Sequence, residues 1–334
     1  MKIAHIVPYS IQFPLKSPNG RYNWVIQLAT MQAKSGHDVT LYCHPESKVE
    51  GVRILGIDQA SDDKRHNNIE TFRLAFKGDH DIYHSHFDDL HYEVAHESSR
   101  PIIYTQHWWP TDAVKQLAQT NSGNVWAVPP TKHMYEYDLR SNIHSKGFIY
   151  HGIDLELFSD TVAQKNDRLL FVGRISPEKN LDVVLAVSLK SGIGLDIIGK
   201  ITEKNATLWN TLQPLIDGEH IRYLGTKTQK ELISYYTSAR AVLFPADINE
   251  AFGLVAIEAQ ACGTPIIMKR GGSRNELVED NKTGFLCETE DEFIAAATHA
   301  DLIRSEDCIT FAQKFDVRIM EKKYEQLYQE LLVR

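Results

Sequence analysis

The sequence predicts two doubly wound α/β domains within one chain of 334 residues. Short apolar runs alternate with helical patterns along the chain, which is the order typical of βαβ units and parallel sheets. At roughly 150 residues per domain, the length suggests about two domains. Twelve of the fifteen histidines precede residue 151, and the net charge is −1 up to residue 150 and −7 beyond it. We therefore expect two halves with different roles.

The first half contains seven runs with strand character. Between the first two runs, Val25, Leu28, Ala29 and Gln32 recur at helical spacing, and Gly36 supplies a helix stop. We expect residues 1–153 to form one Rossmann-like domain. The predicted strands are Ile3–Val7, Val39–Cys43, Val52–Leu55, Ile82–His84, Ile102–Thr105, Val125–Val128 and Phe148–Tyr150.

The second half repeats this alternation, and we expect residues 154–315 to form a second Rossmann-like domain. The polar, non-periodic stretch after Asp154 and up to Asp167 is the predicted linker. At the end of the chain, Met320, Tyr324, Leu327 and Leu331 follow the spacing of an amphipathic helix that docks on another surface. The predicted strands are Leu169–Val172, Leu195–Ile198, Ile221–Leu224, Ala241–Phe244 and Pro265–Ile267, and the predicted helices are Asn180–Ser191, Gln229–Ser238 and Phe252–Cys262.

Composition and charge exclude several classes of protein. The chain is 43% apolar and 24% charged, with a net charge of −8, which is ordinary globular composition. Neither half is basic enough to bind nucleic acid through its phosphates. No apolar run is long enough to span a bilayer, and the first ten residues are too polar for a secretion signal. The four cysteines form no Cys-x-x-Cys pair, so we expect a cytoplasmic location without disulfides.

The common nucleotide-binding signatures are missing from both halves. Val7-Pro8-Tyr9-Ser10 follows the first predicted strand and lacks the Gly-x-Gly-x-x-Gly turn of dinucleotide folds. Gly173-Arg174-Ile175-Ser176 follows the first strand of the second half and has no second glycine. No Gly-x-x-x-x-Gly-Lys-Ser/Thr sequence is present either. A Rossmann dehydrogenase and a P-loop enzyme are therefore disfavoured.

The most informative segment, residues 249–258, follows a predicted strand and begins a predicted helix. Unpaired amides in the first turn of a helix, with the positive end of its dipole, suit a phosphate. Glu250 just before the helix and Glu258 two turns into it can face the same crevice at the carboxyl edge of the sheet. Taken alone, an acidic helix start with a surface glutamate is an equally good interpretation. The expected amide donors are Phe252, Gly253 and Leu254.

A second anion site is predicted at residues 173–180, which also connect a strand to a helix. Arg174 can donate two parallel hydrogen bonds to a diphosphate, and Lys179 can add a point charge. For this motif alone, an equally good interpretation is that the two cations are solvated and simply flank a turn.

Together these segments resemble the retaining GT-B glycosyltransferases of family 4, the glycosyl transferases group 1, which transfer sugars from nucleotide diphosphates. The family has two glutamates separated by seven residues with Phe-Gly after the first, as Glu250 and Glu258 have here. Its Gly-Arg…Glu-Lys loop matches residues 173–179. Matches in family order cover nearly the whole chain: Gly36-His37-Asp38-Val39, His84-Ser85-His86, Thr105-Gln106-His107, His151-Gly152-Ile153-Asp154, Gly263-Thr264-Pro265-Ile266, Gly271-Gly272 and Gly284-Phe285-Leu286.

The resemblance implies a GT-B architecture, in which the two domains face a deep interdomain cleft, and a role for each matching residue. Arg174 and Lys179 look like the pair that binds the donor diphosphate beside Gly173. Glu250 looks like the contact to hydroxyls of the transferred sugar, and Glu258 like the acceptor for the ribose hydroxyls. Phe252, Gly253 and Leu254 would place amides near the sugar or phosphate.

For the N-terminal domain the resemblance implies acceptor binding. Gly20 is the best match to the glycine-rich first loop that approaches the donor phosphates. His107 resembles the histidine near the reacting sugar, and His86 would line the acceptor cleft. Trp108 offers a stacking surface for an acceptor sugar, with a packing role at least as well supported. The C-terminal helix, residues 316–334, would pack back on this domain.

The departures from the family pattern leave the charged residues in place. His151 replaces the usual asparagine in the interdomain motif, and Ala251 replaces a common glycine within the glutamate motif. Gly199-Lys200-Ile201 lacks a second glycine that is often present.

The function that follows is transfer of a sugar from a UDP- or GDP-type donor to a hydroxyl of a glycan, a lipid-linked sugar or a small molecule. Retention in similar enzymes is explained by front-face attack, with no carboxylate nucleophile and no obligatory metal or other cofactor. We expect no nucleic-acid partner and no transmembrane segment, while transient membrane contact stays open.

Four alternatives remain. A GT-B-fold UDP-sugar epimerase and a nucleotide-sugar-binding protein without transfer both fit the fold. A glycosidase would need its two carboxylates about 5 Å apart, and the cationic loop has no purpose in hydrolysis. The least favoured is a metal-dependent hydrolase, whose ligands would come from His84, His86, Asp88, Asp89, His91, Glu93 and His96. Their spacing does not match His-Glu-x-x-His.

Overall fold

The computed structural model describes residues 1–15, 19–120, 123–158, 165–246 and 250–333. The chain divides into two compact units. Unit 1 comprises Met1–Gly152 and Val317–Arg334, and unit 2 comprises Ile153–Asp316. Each unit is built on its own six-stranded parallel sheet, and this confirms the predicted fold class.

The sheet of unit 1 has the strand order β3-β2-β1-β4-β5-β6. Its strands are three to five residues long and largely buried, as expected for a parallel sheet covered on both faces, except for the edge strand β3, which is mostly exposed. The order reverses between β1 and β4, so the switch point of the sheet lies at the carboxyl ends of these two strands. The strands are β1 (Lys2–Ile6), β2 (Asp38–Tyr42), β3 (Arg53–Leu55), β4 (Ile82–Ser85), β5 (Ile102–Thr105) and β6 (Val125–Val128).

Six helices belong to unit 1, and the last comes from the C-terminal end of the chain. On α12 the side chains of Met320, Tyr324, Tyr328 and Leu331 are buried and belong to the same apolar core as those of α1. Leu327, which the periodicity places on the buried face, is only partly buried. The helices are α1 (Gly20–Lys34), α2 (Lys64–Phe76), α3 (Leu90–Val94), α4 (Asp112–Thr120), α5 (Lys132–Arg140) and α12 (Val317–Leu332).

The sheet of unit 2 has the strand order β12-β11-β10-β7-β8-β9, and its switch point lies between β7 and β10. The strands are β7 (Arg168–Val172), β8 (Gly194–Ile198), β9 (Ile221–Tyr223), β10 (Ala241–Phe244), β11 (Ile266–Lys269) and β12 (Gly284–Cys287). The helices are α6 (Leu181–Ser191), α7 (Ala206–Leu212), α8 (Gln229–Ser238), α9 (Leu254–Ala261), α10 (Glu290–Thr298) and α11 (Ser305–Ala312). No helix in the described part of the chain is both long enough and apolar enough to cross a bilayer.

Two strand predictions differ from the structure. Residues 148–150 form no strand, and the amide of Ile149 donates to the carbonyl of Pro129 in a connection that passes the end of β6. Strand β12 was not predicted, because a four-residue run that starts with glycine has little strand character. Gly284 is required there, since a Cβ atom would lie 2.0 Å from the carbonyl oxygen of Ile266 on β11. The predicted linker begins with a 3₁₀ helix at Leu155–Phe158, and its residues 159–164 lie outside the described part.

The loops that leave β7 and β8 are pressed together at the carboxyl edge of unit 2. The amide of Gly173 donates to the carbonyl of Ile198, and the amide of Ile175 donates to that of Lys200. A Cβ atom at Gly199 would lie 1.7 Å from the carbonyl oxygen of Gly173. Only glycine permits this approach, so Gly199 determines where the loop of residues 173–179 lies.

Gly199→Ala should therefore lower the free energy of unfolding by about 1–3 kcal/mol, because the two loops must separate. Urea unfolding measures the change. Gly123→Ala is the control, since a Cβ atom there meets no atom within 4 Å; we expect a change within about 0.5 kcal/mol. Equal stability of the two variants would contradict the argument from close approach.

Candidate functional site

The two motifs of unit 2 meet through an ion pair between Lys179 and Glu250. Lys179 ends a 3₁₀ turn that follows β7, and Glu250 lies beyond β10, so parallel topology brings both to the carboxyl edge of the sheet. Their side chains are only 12% and 19% exposed. The Lys179 ammonium also lies 5.1 Å from the centre of the Phe244 ring, within reach of a cation–π interaction.

Asn180 ties the same two segments together through the backbone. It adopts a left-handed conformation with φ of 49°, which ends the 3₁₀ turn and starts α6. Its Nδ2 donates to the carbonyl of Pro245 at 2.9 Å, directly after β10. Sequence reasoning missed this role, because an asparagine before a helix is ordinarily interpreted as a cap.

The ion pair of Arg174 with Glu178 is more exposed to solvent than that of Lys179 with Glu250. The Arg174 guanidinium lies 3.2 Å from the carboxylate of Glu178, and its side chain is half exposed. Exposed pairs of this kind contribute about 0–1 kcal/mol, so the guanidinium can exchange this partner for a phosphate at small cost.

Helix α9 begins two residues later than predicted. Gly253 precedes it with φ of 103°, and its missing Cβ leaves room for the Phe244 ring. Because this left-handed residue cannot lie inside an α-helix, the first-turn amides begin at Leu254. Phe252 therefore donates no first-turn amide; it is buried, with its ring 5.9 Å from that of Phe315. Glu258 is consequently about one turn into the helix instead of two.

Glu258 is oriented by a tyrosine that the sequence did not single out. The hydroxyl of Tyr236 on α8 donates to Glu258 Oε2 at 2.9 Å. Burial raises the pKa of the Glu258 carboxyl and raises the pKa of the Tyr236 phenol well above its usual value. The phenol is therefore a permanent donor, and the second carboxylate oxygen can accept from a ligand hydroxyl. Tyr236 was missed because its spacing fits the buried face of α8.

In unit 1, Gly20 is the first residue of α1 and is exposed. The side chain of Asn19 caps this helix by accepting from the amide of Tyr22. The next residue, Arg21, forms an ion pair with Asp88 at 2.6 Å and is largely buried. Arg21 is therefore a cation at the start of α1 that was not predicted from the sequence. Residues 16–18 of the same loop lie outside the described part.

His86 and His107 come together in a histidine network at the switch point of unit 1. His107 Nε2 lies 3.5 Å from His86 Nδ1, and His86 Nε2 lies 3.0 Å from Nδ1 of His5. His5 Nε2 lies 2.6 Å from Gln32 Oε1. His5 faces His84 in the register of β1 and β4. The sequence contained an indication that His5 belongs to this network, because His5 is a polar residue within an otherwise apolar strand.

The hydrogen bonds of this network determine which nitrogens carry protons. Gln32 Oε1 only accepts, so His5 carries its proton on Nε2 and accepts at Nδ1 from His86 Nε2. His86 then accepts at Nδ1 from His107 Nε2, and His107 keeps a lone pair on its own Nδ1. Desolvation on burial lowers the pKa of each of these histidines, that of His5 to about 4, so all three are neutral at pH 7.

Trp108 follows this network and is 45% exposed. The neighbouring Trp109 instead packs, with its ring 5.0 Å from that of Tyr137 and 5.6 Å from that of His133. Trp108 is therefore the more exposed of the two tryptophans.

The ligand set of the alternative metal-dependent hydrolase is dispersed. His84 and His86 lie with His5, but both ring nitrogens of His84 are engaged, by Tyr328 and Thr105 at 2.7 Å each. Two acidic members of this set form ion pairs elsewhere, Asp88 with Arg21 and Glu93 with Arg65. His91 stacks on the ring of Tyr104.

The buried histidines predict a steep loss of stability in acid. Burial lowers the pKa of His5 to about 4 and those of His91 and His151 to about 3. Between about pH 6.5 and these values the unfolded chain binds protons that the folded chain does not. Each of these neutral histidines should then lower the free energy of unfolding by about 1.4 kcal/mol for every unit that the pH falls. Urea unfolding at pH 7 and pH 5 measures the loss, and equal stability at both would contradict it.

Comparison with known proteins supports the motif analysis. Residues 153–318 match the model of the family described as glycosyl transferases group 1. The chain is 31% identical over 158 residues to D-inositol 3-phosphate glycosyltransferase of Nocardiopsis dassonvillei, a match that covers 40% of this chain. It spans only about a third of that relative's length, 37%.

Two solved structures share the fold over almost the entire chain. Sucrose-phosphate synthase from Thermosynechococcus elongatus has a TM-score of 0.86 at 18% identity and covers 99% of both chains. HepE from Anabaena, in complex with UDP and glucose, has a TM-score of 0.79 at 15% identity and covers 98% of this chain and 99% of its own. The predicted resemblance is thus confirmed over residues 153–318, which match the model of the glycosyl transferases group 1 family.

Proposed function

We propose that the protein is a retaining glycosyltransferase that uses a nucleotide-diphosphate sugar of the UDP or GDP type. The observation that carries this proposal is the partly buried ion pair between Lys179 and Glu250. It joins a cation suited to a diphosphate with a carboxylate suited to sugar hydroxyls. HepE, which shares the fold, binds UDP and glucose.

In this proposal unit 2 binds the donor. Arg174 leaves its exposed partner Glu178 and donates to the diphosphate, while Lys179 contacts it with N–H groups not used by Glu250. The first-turn amides of α9, from Leu254 onward, add the positive end of a helix dipole, and Gly173 keeps the loop after β7 close to the sheet edge. Glu258, held by Tyr236, accepts from the ribose hydroxyls.

The reaction breaks the bond between the anomeric carbon and the diphosphate oxygen, and the bonding electrons leave with the phosphate. Arg174, Lys179 and the helix dipole stabilise this developing charge in a fixed arrangement. The acceptor hydroxyl attacks the same face of the sugar, and its proton passes to the departing phosphate oxygen. Glu250 contacts sugar hydroxyls and orients Lys179. This scheme requires no metal and no carboxylate nucleophile.

We assign acceptor-side roles to unit 1. His107, neutral and with its Nδ1 lone pair directed away from His86, accepts from a hydroxyl of the reacting sugar. His86, which was expected to line the acceptor cleft, is fully buried with its two ring nitrogens facing His5 and His107, so we assign it the role of positioning the His107 ring. The exposed Trp108 stacks on an acceptor. Gly20 lies at the start of α1, where its backbone can approach the donor phosphates. D-inositol 3-phosphate is the first acceptor to test, because the named relative is a glycosyltransferase for that compound.

The donor site is tested by separating nucleotide binding from turnover. Lys179→Gln should weaken UDP or GDP binding about tenfold to a hundredfold, because a charge-assisted hydrogen bond contributes about 1.5–3 kcal/mol. Glu250→Gln should keep or improve nucleotide binding, since Lys179 loses its competing partner, and should abolish turnover. Calorimetry with UDP and GDP and an assay of sugar transfer measure the two effects.

Lys190→Gln is the matched control, because Lys190 also pairs with a glutamate, Glu290, but in an exposed position. It should change neither binding nor turnover. Unfolding midpoints of all variants establish that they fold. Equal weakening by Lys190→Gln, or no nucleotide binding by the wild type, would contradict the proposal.

The absence of a catalytic metal is a separate prediction. Transfer should persist in EDTA when it is assayed well below the unfolding midpoint, since the cations that face the diphosphate come from Arg174 and Lys179. Complete loss that Mn²⁺ or Mg²⁺ restores would contradict the metal-independent mechanism.

A further inference from the structure

A cluster of one histidine and two glutamates lies where α12 meets the turn after α1 in unit 1. His37 follows Gly36, whose φ of 89° ends that turn. Glu321 and Glu325 are four residues apart on α12 and therefore share a face of this helix. The three side chains belong to no part of the proposed donor or acceptor sites.

The ligand atoms of this cluster are close but not hydrogen-bonded to one another. His37 Nε2 lies 3.8 Å from Glu321 Oε1 and 3.7 Å from Glu325 Oε1. These distances are beyond a hydrogen bond. The three atoms lie within 4.8 Å of one another, the separation of ligands around a single ion.

Two of the three atoms are buried without a hydrogen-bond partner in the described residues. These are His37 Nε2 and Glu321 Oε1, and Glu321 is only 3% exposed. A buried carboxylate oxygen without a partner is costly, and a second carboxylate beside it increases the cost. His5 on β1 and His84 on β4 do not have such unpartnered nitrogens, because both ring nitrogens of each histidine form hydrogen bonds with neighbouring side chains.

We propose that His37, Glu321 and Glu325 bind one divalent transition-metal ion of the Zn²⁺ type. Imidazole nitrogen and carboxylate oxygen are both zinc ligands, and three protein ligands with a water complete a tetrahedral site. Coordination through Nε2 leaves the ring proton of a neutral His37 on Nδ1.

The ion would link the C-terminal helix to the N-terminal part of unit 1. His37 is 284 residues from the nearer glutamate, Glu321, so the complete site forms only in the folded chain. Binding therefore stabilises the folded state and is coupled to folding. The role is structural, and it does not depend on the proposed transfer reaction.

Titration of the full-length, chelator-treated protein with Zn²⁺ and Co²⁺ tests the site. We expect one equivalent per chain, a visible Co²⁺ absorption band and a higher unfolding midpoint with Zn²⁺. Glu321→Gln and His37→Gln should each weaken Zn²⁺ binding more than about tenfold, since even outer-shell changes weaken metal sites by that factor.

Without metal, Glu321→Gln should unfold at the same midpoint as the wild type or a higher one, because it removes a buried charge. With Zn²⁺ bound, the wild type should instead have the higher unfolding midpoint. The control variants are Glu330→Gln, an exposed glutamate on the same helix, and His66→Gln, an exposed histidine on α2. Both should bind Zn²⁺ like the wild type.

Equal Zn²⁺ affinity of wild type and Glu321→Gln would overturn the proposal. So would binding that survives His37→Gln and is lost in His84→Gln, since the ion would then belong to the strand histidines. Failure of Zn²⁺ to bind while UDP or GDP still binds would reject this site and leave the proposed function intact.

Discussion

The candidate donor site depends on the ion pair between Lys179 and Glu250. Two charges that are about four-fifths removed from water must stay together, because either one alone would be a largely buried, uncompensated ion. Their partnership fixes the loop after β7 against the segment after β10. The hydrogen bond from Asn180 to Pro245 and the close approach of Gly199 to Gly173 hold the same loop from two other sides. The lysine is therefore in position before any ligand arrives, which is the condition for electrostatic catalysis.

The candidate site of unit 1 consists of neutral groups, whereas that of unit 2 contains an ion pair. The switch point of unit 1 is filled by histidines that burial keeps uncharged, so their hydrogen-bonding directions, and not their charges, are what they offer. The chain from Gln32 through His5 and His86 to His107 leaves one defined acceptor atom at its end. A neutral acceptor of this kind suits a sugar hydroxyl better than a phosphate.

Most of the strands and both charged motifs of unit 2 were predictable, because each follows a local pattern of residue types that recurs along the chain. Apolar runs that alternate with helical periodicity predicted eleven of the twelve strands, each to within about a residue or two. Residues 173–179 and 250–258 were recognisable because their charges follow strands. The failures are equally local in origin: residues 148–150 are apolar but lie beyond the sheet, and Gly284–Cys287 is too short and glycine-led to resemble a strand.

The fold class, the family resemblance and most of the candidate site could be predicted from the amino-acid sequence, because these depend on residue types at fixed spacings. Which side chains meet depends on how the folded chain packs. The tertiary structure paired Lys179 with Glu250, placed Tyr236 on Glu258, and brought His37 to two glutamates nearly three hundred residues away. It also moved the start of α9 past Phe252, because a left-handed Gly253 cannot be helical. Contacts between distant segments follow from sheet order and packing, and no local pattern in the chain encodes them.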